Sequence, residues 1–396
     1  MIIGIDLTNL STGGQGVYTY SIGLLDGLLK IKKDIKISLF VNLELFKLLT
    51  LYKKNKKIKF IIIDYNKKKI SKYLDFFFII LGLIKIYPSK LHYYLHNIIY
   101  KKNKIIFEKN CQVLICPGVT LSVYNLNIPT VLCMHDIMHV NYPKFFFTKE
   151  KIVRKLTYEN SMRYCTKAIA SSEFMKSEFI NYFDFLNKKK IKVIPEGVDI
   201  NFFKKRKYKD RKIINFNLPK KFLFYPAQFW EHKNHILLLR VIKDINFNSN
   251  QKINLILTGK KKYYYKFLKK LLNEMKSNVF YLGSVSKEDL LKIYNLSTAV
   301  VIPSIYESSS LVIYESFSLK KNVIASSIPP FIELKNKFNL FFFNHNNQSS
   351  LKKVLLNKFV KNSFLKKKQI NNNYKNIQSY DWSYVASKFY SVILEL

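Results

Sequence analysis

Short apolar runs alternate along this chain with longer segments in which apolar positions recur every three or four residues. Runs at 2–7, 37–41, 58–63, 113–116, 130–134, 168–171 and 191–194 read as a first series of strands. A Lys-rich stretch of little order, 204–221, interrupts the series, which restarts with 222–225, 253–258, 279–282, 299–302, 322–325 and 340–343. Buried strands alternating with helical segments are the mark of α/β proteins with parallel sheets. The pattern predicts two doubly wound halves joined near 197–220, with no short-period internal repeat. The expected division is 1–197, 198–380 and a closing segment 381–396. Ser286 ahead of Glu288 and Asp289 reads as a helix start, its acidic residues complementing the helix dipole. At the other end, Tyr384, Val385, Phe389, Tyr390, Val392 and Ile393 fall at helical spacing, which predicts a terminal amphipathic helix over 382–396.

Composition narrows the class. Of 396 residues, 48% are hydrophobic and 15% aromatic, with only 10 Pro and 11 Gly. That excludes collagen-like, low-complexity and wholly disordered chains, and the length suits two domains of roughly 100 to 200 residues. The formal charge is +41, from 67 Lys plus Arg against 26 Asp plus Glu, and only Arg154, Arg163, Arg206, Arg211 and Arg240 are arginines. Arginine is the residue that reads guanine through paired hydrogen bonds, and the chain carries no RNA-recognition motif, zinc finger or Arg-rich tract. Nucleic acid is therefore not the expected partner. An AT-rich coding bias toward Lys, Ile, Asn, Phe and Tyr accounts for much of the charge. The remainder favours an anionic partner, a phosphate or an acidic membrane surface.

Cys111, Cys116, Cys133 and Cys165 form neither a C-x-x-C pair nor a zinc-spaced set with histidine, and read as reduced core thiols of a cytosolic protein. The N-terminal MIIGIDLTNL is a short apolar strand without a basic leader, so no secretory signal is expected. The longest apolar run, 76–86, contains Lys85 and falls short of the ~20 residues a membrane span needs.

Four segments could carry chemistry. Gly13, Gly14, Gln15 and Gly16 follow the first strand, where glycines let backbone amides approach an anion, although any strand-to-helix turn needs glycine. The spacing is not the G-x-G-x-x-G of a dinucleotide site. His135 and Asp136 follow the 130–134 strand at its carboxyl end, where open α/β sheets gather ligands. A loop histidine held by backbone hydrogen bonds fits the same residues, and His139 finds no further ligands at metal spacing. The third segment, YPAQFWEHKNH at 225–235, places Lys233 between a strand and a helix, well sited for a phosphate whose charge grows as a bond breaks. The fourth runs from Pro303 to Phe317. Glu307 sits in a loop after a strand and Glu315, eight residues on, is expected about two turns into a helix, so that both could face one cleft. The small residues between them leave the helix N-terminus open, where amides at Ser309 and Ser310 could meet a phosphate. A surface loop glutamate and a solvated helix glutamate would be the plainer account of either alone.

Taken together, these residues resemble the retaining nucleotide-sugar glycosyltransferases of family 4, and the likeness runs along nearly the whole chain. It rests on the Gly13, Gly14, Gln15, Gly16 loop, His135 with Asp136, the turn Ser171, Ser172, Glu173, Phe174, the VIPEGVD segment at 193–199, the 225–235 segment and the Glu307 and Glu315 pair. PAQFWEHKNH and HDIMHVNYP are similar to a subgroup associated with mannosyl transfer and surface-polysaccharide assembly, O-antigen or capsule. The resemblance implies the GT-B fold: two Rossmann-like domains facing a central cleft, acceptor on the first, nucleotide sugar on the second, and the C-terminal helix returning to the first. It implies a GDP- or UDP-sugar donor, a glycan or lipid-linked glycan acceptor and no metal; the expected location is cytoplasmic, with contact at the inner face of the plasma membrane left open to the lysine-rich stretch considered below.

Carried onto this chain, the resemblance has Lys233 neutralise the diphosphate, Glu315 hold the ribose hydroxyls and Glu307 bind the sugar hydroxyls. His135 would sit beside the reacting sugar and Gly13 and Gly14 would shape the loop over the phosphates. Gln228, Ser309, Ser310 and Leu311 would complete the donor contacts. Three departures stand out. Gln228 occupies the place of the usual arginine before the phosphate lysine, so Lys233 or a neighbouring basic residue must make up the charge. Serines 308–310 replace glycines after Glu307, and Glu196 replaces the asparagine before Gly197. Two other readings remain open at the level of sequence: a GT-B nucleotide-sugar epimerase, which would turn over donor without acceptor, and a non-catalytic nucleic-acid or lipid-surface binder. Independently of these, the lysines of 53–72, the apolar run 76–86 and His92, Tyr93 and Tyr94 could rest on anionic lipid. A buried helix flanked by solvated lysines fits them equally.

Overall fold

The computed structural model describes residues 1–10, 15–31, 34–63, 69–204, 212–213, 216–249 and 251–396. Every apolar run read above as a strand forms one, with ends moved by a residue or two, while the longest run, 76–86, lies in the helix Lys69–Leu83 and the turn after it. The chain folds as two compact units, residues 1–197 with 382–396, and 198–381.

In the first unit β1 (Ile2–Asp6), β2 (Lys36–Val41), β3 (Ile58–Ile62), β4 (Val113–Cys116), β5 (Thr130–Cys133), β6 (Lys167–Ala170) and β7 (Ile191–Val193) form one sheet in the order β3-β2-β1-β4-β5-β6-β7. All its pairs are parallel. Order reverses between β1 and β4, the switch point at whose carboxyl edge doubly wound sheets open a crevice. Beneath it pack the helix Gln15–Leu29 and the C-terminal helix Trp382–Leu394. A Cβ at Gly23 would fall 2.1 Å from the Trp382 ring, one at Gly27 2.2 Å from the Trp382 carbonyl, and one at Gly197 2.4 Å from the same ring. Three glycines thus make the socket for one tryptophan. The terminal helix buries Val385, Phe389, Val392 and Ile393 as its spacing predicts, but Tyr384 points to solvent.

The segment 204–221, read above as without order, holds a short antiparallel ladder of β8 (Lys212–Ile213) and β9 (Phe216–Asn217). Phe216 packs on Phe280 at 4.8 Å, a tertiary contact that lysine-rich composition conceals. The second unit's main sheet contains β10 (Leu223–Pro226), β11 (Leu255–Thr258), β12 (Val279–Tyr281), β13 (Ala299–Ile302), β14 (Asn322–Ser326) and β15 (Phe341–Phe343) in the order β12-β11-β10-β13-β14-β15. It too is wholly parallel, with its switch point between β10 and β13. Ser286 caps the helix Lys287–Leu296 by accepting from the Asp289 amide at 3.0 Å. The segments entering and leaving this unit lie side by side, the Val198 N–H donating to the Tyr380 carbonyl at 2.8 Å.

Candidate functional site

The carboxyl ends of β10 and β13 flank the second switch point, and the segments leaving them hold Lys233 and Glu307. After β10 the chain turns through Glu231–Lys233, passes Asn234 with φ +54°, and enters the helix His235–Asn248. The left-handed Asn234 allows that sharp entry at a residue type that tolerates it. His235 is fully buried and stacked on Phe229 at 4.4 Å, and burial pulls its pKa down to about 3. It is a neutral core residue.

Lys233 Nζ lies 2.5 Å from Glu307 Oε1, with both side chains largely withdrawn from solvent. The same carboxylate oxygen accepts from Ser304 Oγ at 2.7 Å. Behind the pair, the buried Tyr225 hydroxyl donates to the Lys233 carbonyl at 2.9 Å, and the Ile305 N–H donates to the His232 carbonyl at 2.8 Å, tying the two loops together. Burial raises the Tyr225 phenol well above its ordinary value, so it stays a donor. An ammonium has three N–H donors. With one committed to Glu307, the arrangement presents a positioned cation beside a carboxylate whose second oxygen can accept a hydroxyl.

Glu315 lies in the helix Leu311–Ser318, only a little over one turn from its start and not two as the sequence suggests, because the helix begins at Leu311. Its Oε2 accepts from the Tyr294 hydroxyl at 2.6 Å, and burial pushes its pKa up to about 7. The two glutamates therefore have separate partners, Lys233 with Ser304 for one and Tyr294 for the other. Ser310 precedes the helix without capping it through its hydroxyl, while the Ser309 hydroxyl donates to the Tyr314 hydroxyl at 3.3 Å. Among the described residues, the N–H groups of Ser309, Ser310 and Leu311 donate to no acceptor, as expected where a helix begins.

Gln228 Oε1 accepts from Trp230 Nε1 at 3.2 Å. Next to it, Gly259 directly follows β11 with φ +127°, and a Cβ there would fall 2.6 Å from the Ala227 carbonyl oxygen. Only glycine fits that approach. The Phe229 N–H donates to the Lys260 carbonyl at 3.3 Å, so the 260–262 lysines lie alongside the segment that leads to Lys233. Lys261 sits over Tyr265 at 4.7 Å and Lys262 over Trp230 at 4.9 Å, whereas Lys260 has no ring or carboxylate partner among the described residues.

In the first unit His135 is buried, its Nε2 2.9 Å from the Pro117 carbonyl. A carbonyl can only accept, so Nε2 carries the hydrogen and Nδ1 the lone pair, and burial lowers the ring's pKa. The backbone-bound histidine considered above is thus real, and it fixes a tautomer as well as a loop. The ring meets Tyr20 edge-on at 4.7 Å, and Tyr20 meets Trp382 at 5.3 Å. Asp136 accepts from the Met138 amide at 2.9 Å and lies 3.7 Å from Arg154. His139 is buried edge-on to Tyr158, and its pKa falls to about 4. Ser172 caps the next helix by accepting from the Met175 amide at 3.1 Å. Gly13 and Gly14 lie outside the described residues. Among the described residues no three His, Cys, Asp or Glu side chains converge as metal ligands, and the four cysteines are free and buried.

Sequence reasoning missed Tyr225, Ser304, Tyr294, Gly259 and Lys260. Gly259 had a signal, a glycine directly after an apolar run. The others are visible only once the strands bring distant segments together.

Comparison with known proteins bears on the family and the fold. The model for glycosyl transferases group 1 matches residues 206–376, and that for Glycosyltransferase Family 4 matches residues 80–202. An uncharacterized glycosyltransferase of Methanocaldococcus jannaschii, MJ1607, is 24% identical over 279 residues, 68% of this chain and 70% of that protein. The O-antigen chain mannosyltransferase RfbU of Salmonella typhimurium is 27% identical over 204 residues, about half of each chain (51% and 53%). The crystal structure of Anabaena Alr3699/HepE in complex with UDP and glucose superposes with a TM-score of 0.68 at 16% identity, covering 100% of this chain and 99% of that one. The fold is therefore GT-B, and with adjoining family models running from residue 80 to 376, the chain belongs to the group 1, family 4 glycosyltransferases, retaining enzymes that transfer a sugar from a nucleotide sugar.

Proposed function

We propose that this glycosyltransferase moves a mannose-like hexose from a GDP- or UDP-sugar to a glycan or lipid-linked glycan, in surface-polysaccharide assembly of the O-antigen or capsule type on the cytoplasmic side of the membrane. The observation that carries the reading is the Lys233 and Glu307 pair held at the β10/β13 switch point. Transfer breaks the bond between the anomeric carbon and the diphosphate oxygen, and the electron pair leaves on the phosphate. Stabilising that charge is the main demand on the protein. Lys233 answers it as a fixed cation, and the N–H groups of Ser309, Ser310 and Leu311 add partial positive charge at a helix start. Glu307 accepts from the sugar hydroxyls, Glu315 from those of the ribose, and His135 serves the reacting sugar through Nδ1. Gln228 contributes an uncharged donor contact, and Lys260, beside it, supplies the charge an arginine would have given. The acceptor oxygen attacks on the face the phosphate leaves and passes it its proton, so no side chain is assigned as nucleophile and no metal is invoked.

Mannose and the O-antigen context rest on the likeness to RfbU. A second reading, a UDP-glucose donor, is favoured by the HepE structure solved with UDP-glucose. The test incubates the chain with GDP-mannose or UDP-glucose, with and without membrane extract as acceptor, and follows products by mass spectrometry and the anomeric configuration by NMR. Mannose transfer with retained configuration is expected. Conversion of donor without acceptor would instead mark an epimerase, and transfer from UDP-glucose alone would give the second reading the place of the first.

A further inference from the structure

From Tyr73 to Leu83 the helix Lys69–Leu83 is apolar apart from Asp75, yet only one side of that stretch is covered. Phe78 is buried with Ile152 and Leu156 of the helix Thr148–Tyr164, and Leu74, Ile79 and Leu81 pack around that cluster. At Gly82 the approach is so close that a Cβ would fall 2.5 Å from an Ile152 methyl. On the other side, Tyr73, Phe76, Phe77, Ile80 and Leu83 are exposed, Phe76 by 62% and Leu83 by 60%. With Ile84 they span an arc of about 120° at the 100° per residue of an α-helix. The helix ends in a Schellman turn, the Ile86 N–H donating to the Leu81 carbonyl and the Lys85 N–H to that of Gly82, with Lys85 at φ +62°. Lys85 is thereby set at a tip between exposed Ile84 and Ile86. The following helix Ser89–Ile99 continues the surface with Leu91, Tyr94 and Ile98, the last 71% exposed.

A solvent-facing arc of this length is not what a helix on a globular surface shows unless something else covers it. Charge says what. From residue 67 to 104 the sequence holds nine lysines and one acidic residue, Asp75. No helix among the described residues is long and apolar enough to cross a membrane. Apolar side chains on one face of a surface helix, set among lysines, is the composition that seats a helix at an anionic bilayer, its rings and aliphatic chains entering the acyl boundary while lysines meet the headgroups. We infer that the exposed faces of the helices Lys69–Leu83 and Ser89–Ile99, with the Lys85 tip between them, dock this chain on an anionic phospholipid bilayer. The surface differs from the one the sequence suggested: His92 is buried and bonded to Asn160 at 3.0 Å, so it does not face outward, and Tyr93 is half-buried with its ring stacked on Tyr164 at 4.1 Å.

The test is flotation of the full chain with vesicles of phosphatidylcholine alone or with about a third phosphatidylglycerol, beside Phe76→Glu/Ile84→Glu and Lys85→Gly. The double variant alters side chains that face solvent, so its melting temperature should match the parent. Glycine suits the Lys85 backbone, so that variant removes charge without disturbing the turn. Co-flotation only with the anionic vesicles is expected, reduced on the order of tenfold in the double variant, reduced less in Lys85→Gly, and weakened by salt. Nucleotide binding should be the same in all three proteins, which separates this surface from the donor site. Equal flotation of parent and double variant, or none with either vesicle, would overturn the inference. So would sedimentation showing a dimer that the double variant dissociates, since a second copy would then cover the face.

Discussion

Each candidate side chain takes its properties from a partner the spacing does not reveal. Lys233 and Glu307 are 74 residues apart, yet they form one ion pair with Ser304 on the same carboxylate oxygen. Their residue types and their places after strands were legible; their contact depends on β10 and β13 being neighbours, a fact of topology. Glu315 shows the same limit. A glutamate facing Tyr294 across 2.6 Å in a desolvated place titrates near 7, whereas the same residue on a wet helix would stay near 4.5. Between those values the folded chain holds a proton that the unfolded chain has released. Stability from this group is therefore complete below about pH 4.5 and is lost as pH rises through 7, a change on the order of 3 kcal/mol. Urea midpoints of the parent should fall more between about pH 5 and about pH 8 than those of Glu315→Gln. Equal pH dependence in the two proteins would show that the carboxyl is not held protonated.

At the scale of elements, strands were the most legible part of the chain because a buried parallel strand is a short continuous apolar run bounded by turns, and every run read that way is a strand, the longer run 76–86 being helical. Helix ends were less so. Serines 308–310 gave no clear stop or start, and the helix begins at Leu311, a turn later than the Glu315 estimate needed. The ladder β8/β9 escaped notice because two-residue strands have no period to read. The terminal helix was visible in its spacing, but its seat was not: Gly23, Gly27 and Gly197 come from distant places to surround Trp382. Trp382→Ala should cost about 3–5 kcal/mol, and Gly23→Ala a few kcal/mol by overpacking. Thermal unfolding of both variants checks this. A melting temperature unchanged in Gly23→Ala would mean that the socket does not exist as described.

For the molecule as a whole, two parallel sheets with the same reversal of strand order give two switch points, and chemistry-bearing residues gather at the carboxyl edge of each. The second carries the cation, the carboxylates and the open helix start, which makes it the half where nucleotide should bind. The excess of 67 basic residues over 26 acidic ones is mostly spread over the surface and says little by itself. It acquires meaning only at Lys233, where a lysine is held against a carboxylate at a switch point, and around the uncovered helix face. The most direct measurement is thermal stabilisation of the full chain by UDP, GDP, dTDP, ADP and CMP, repeated with Lys233→Ala and Glu315→Ala. One nucleoside diphosphate should raise the melting temperature in a concentration-dependent way, by RT ln(1 + [L]/Kd) in free energy, with the shift reduced in both variants. Stabilisation that survives both substitutions, or none by any nucleotide, would contradict a donor site built on these residues.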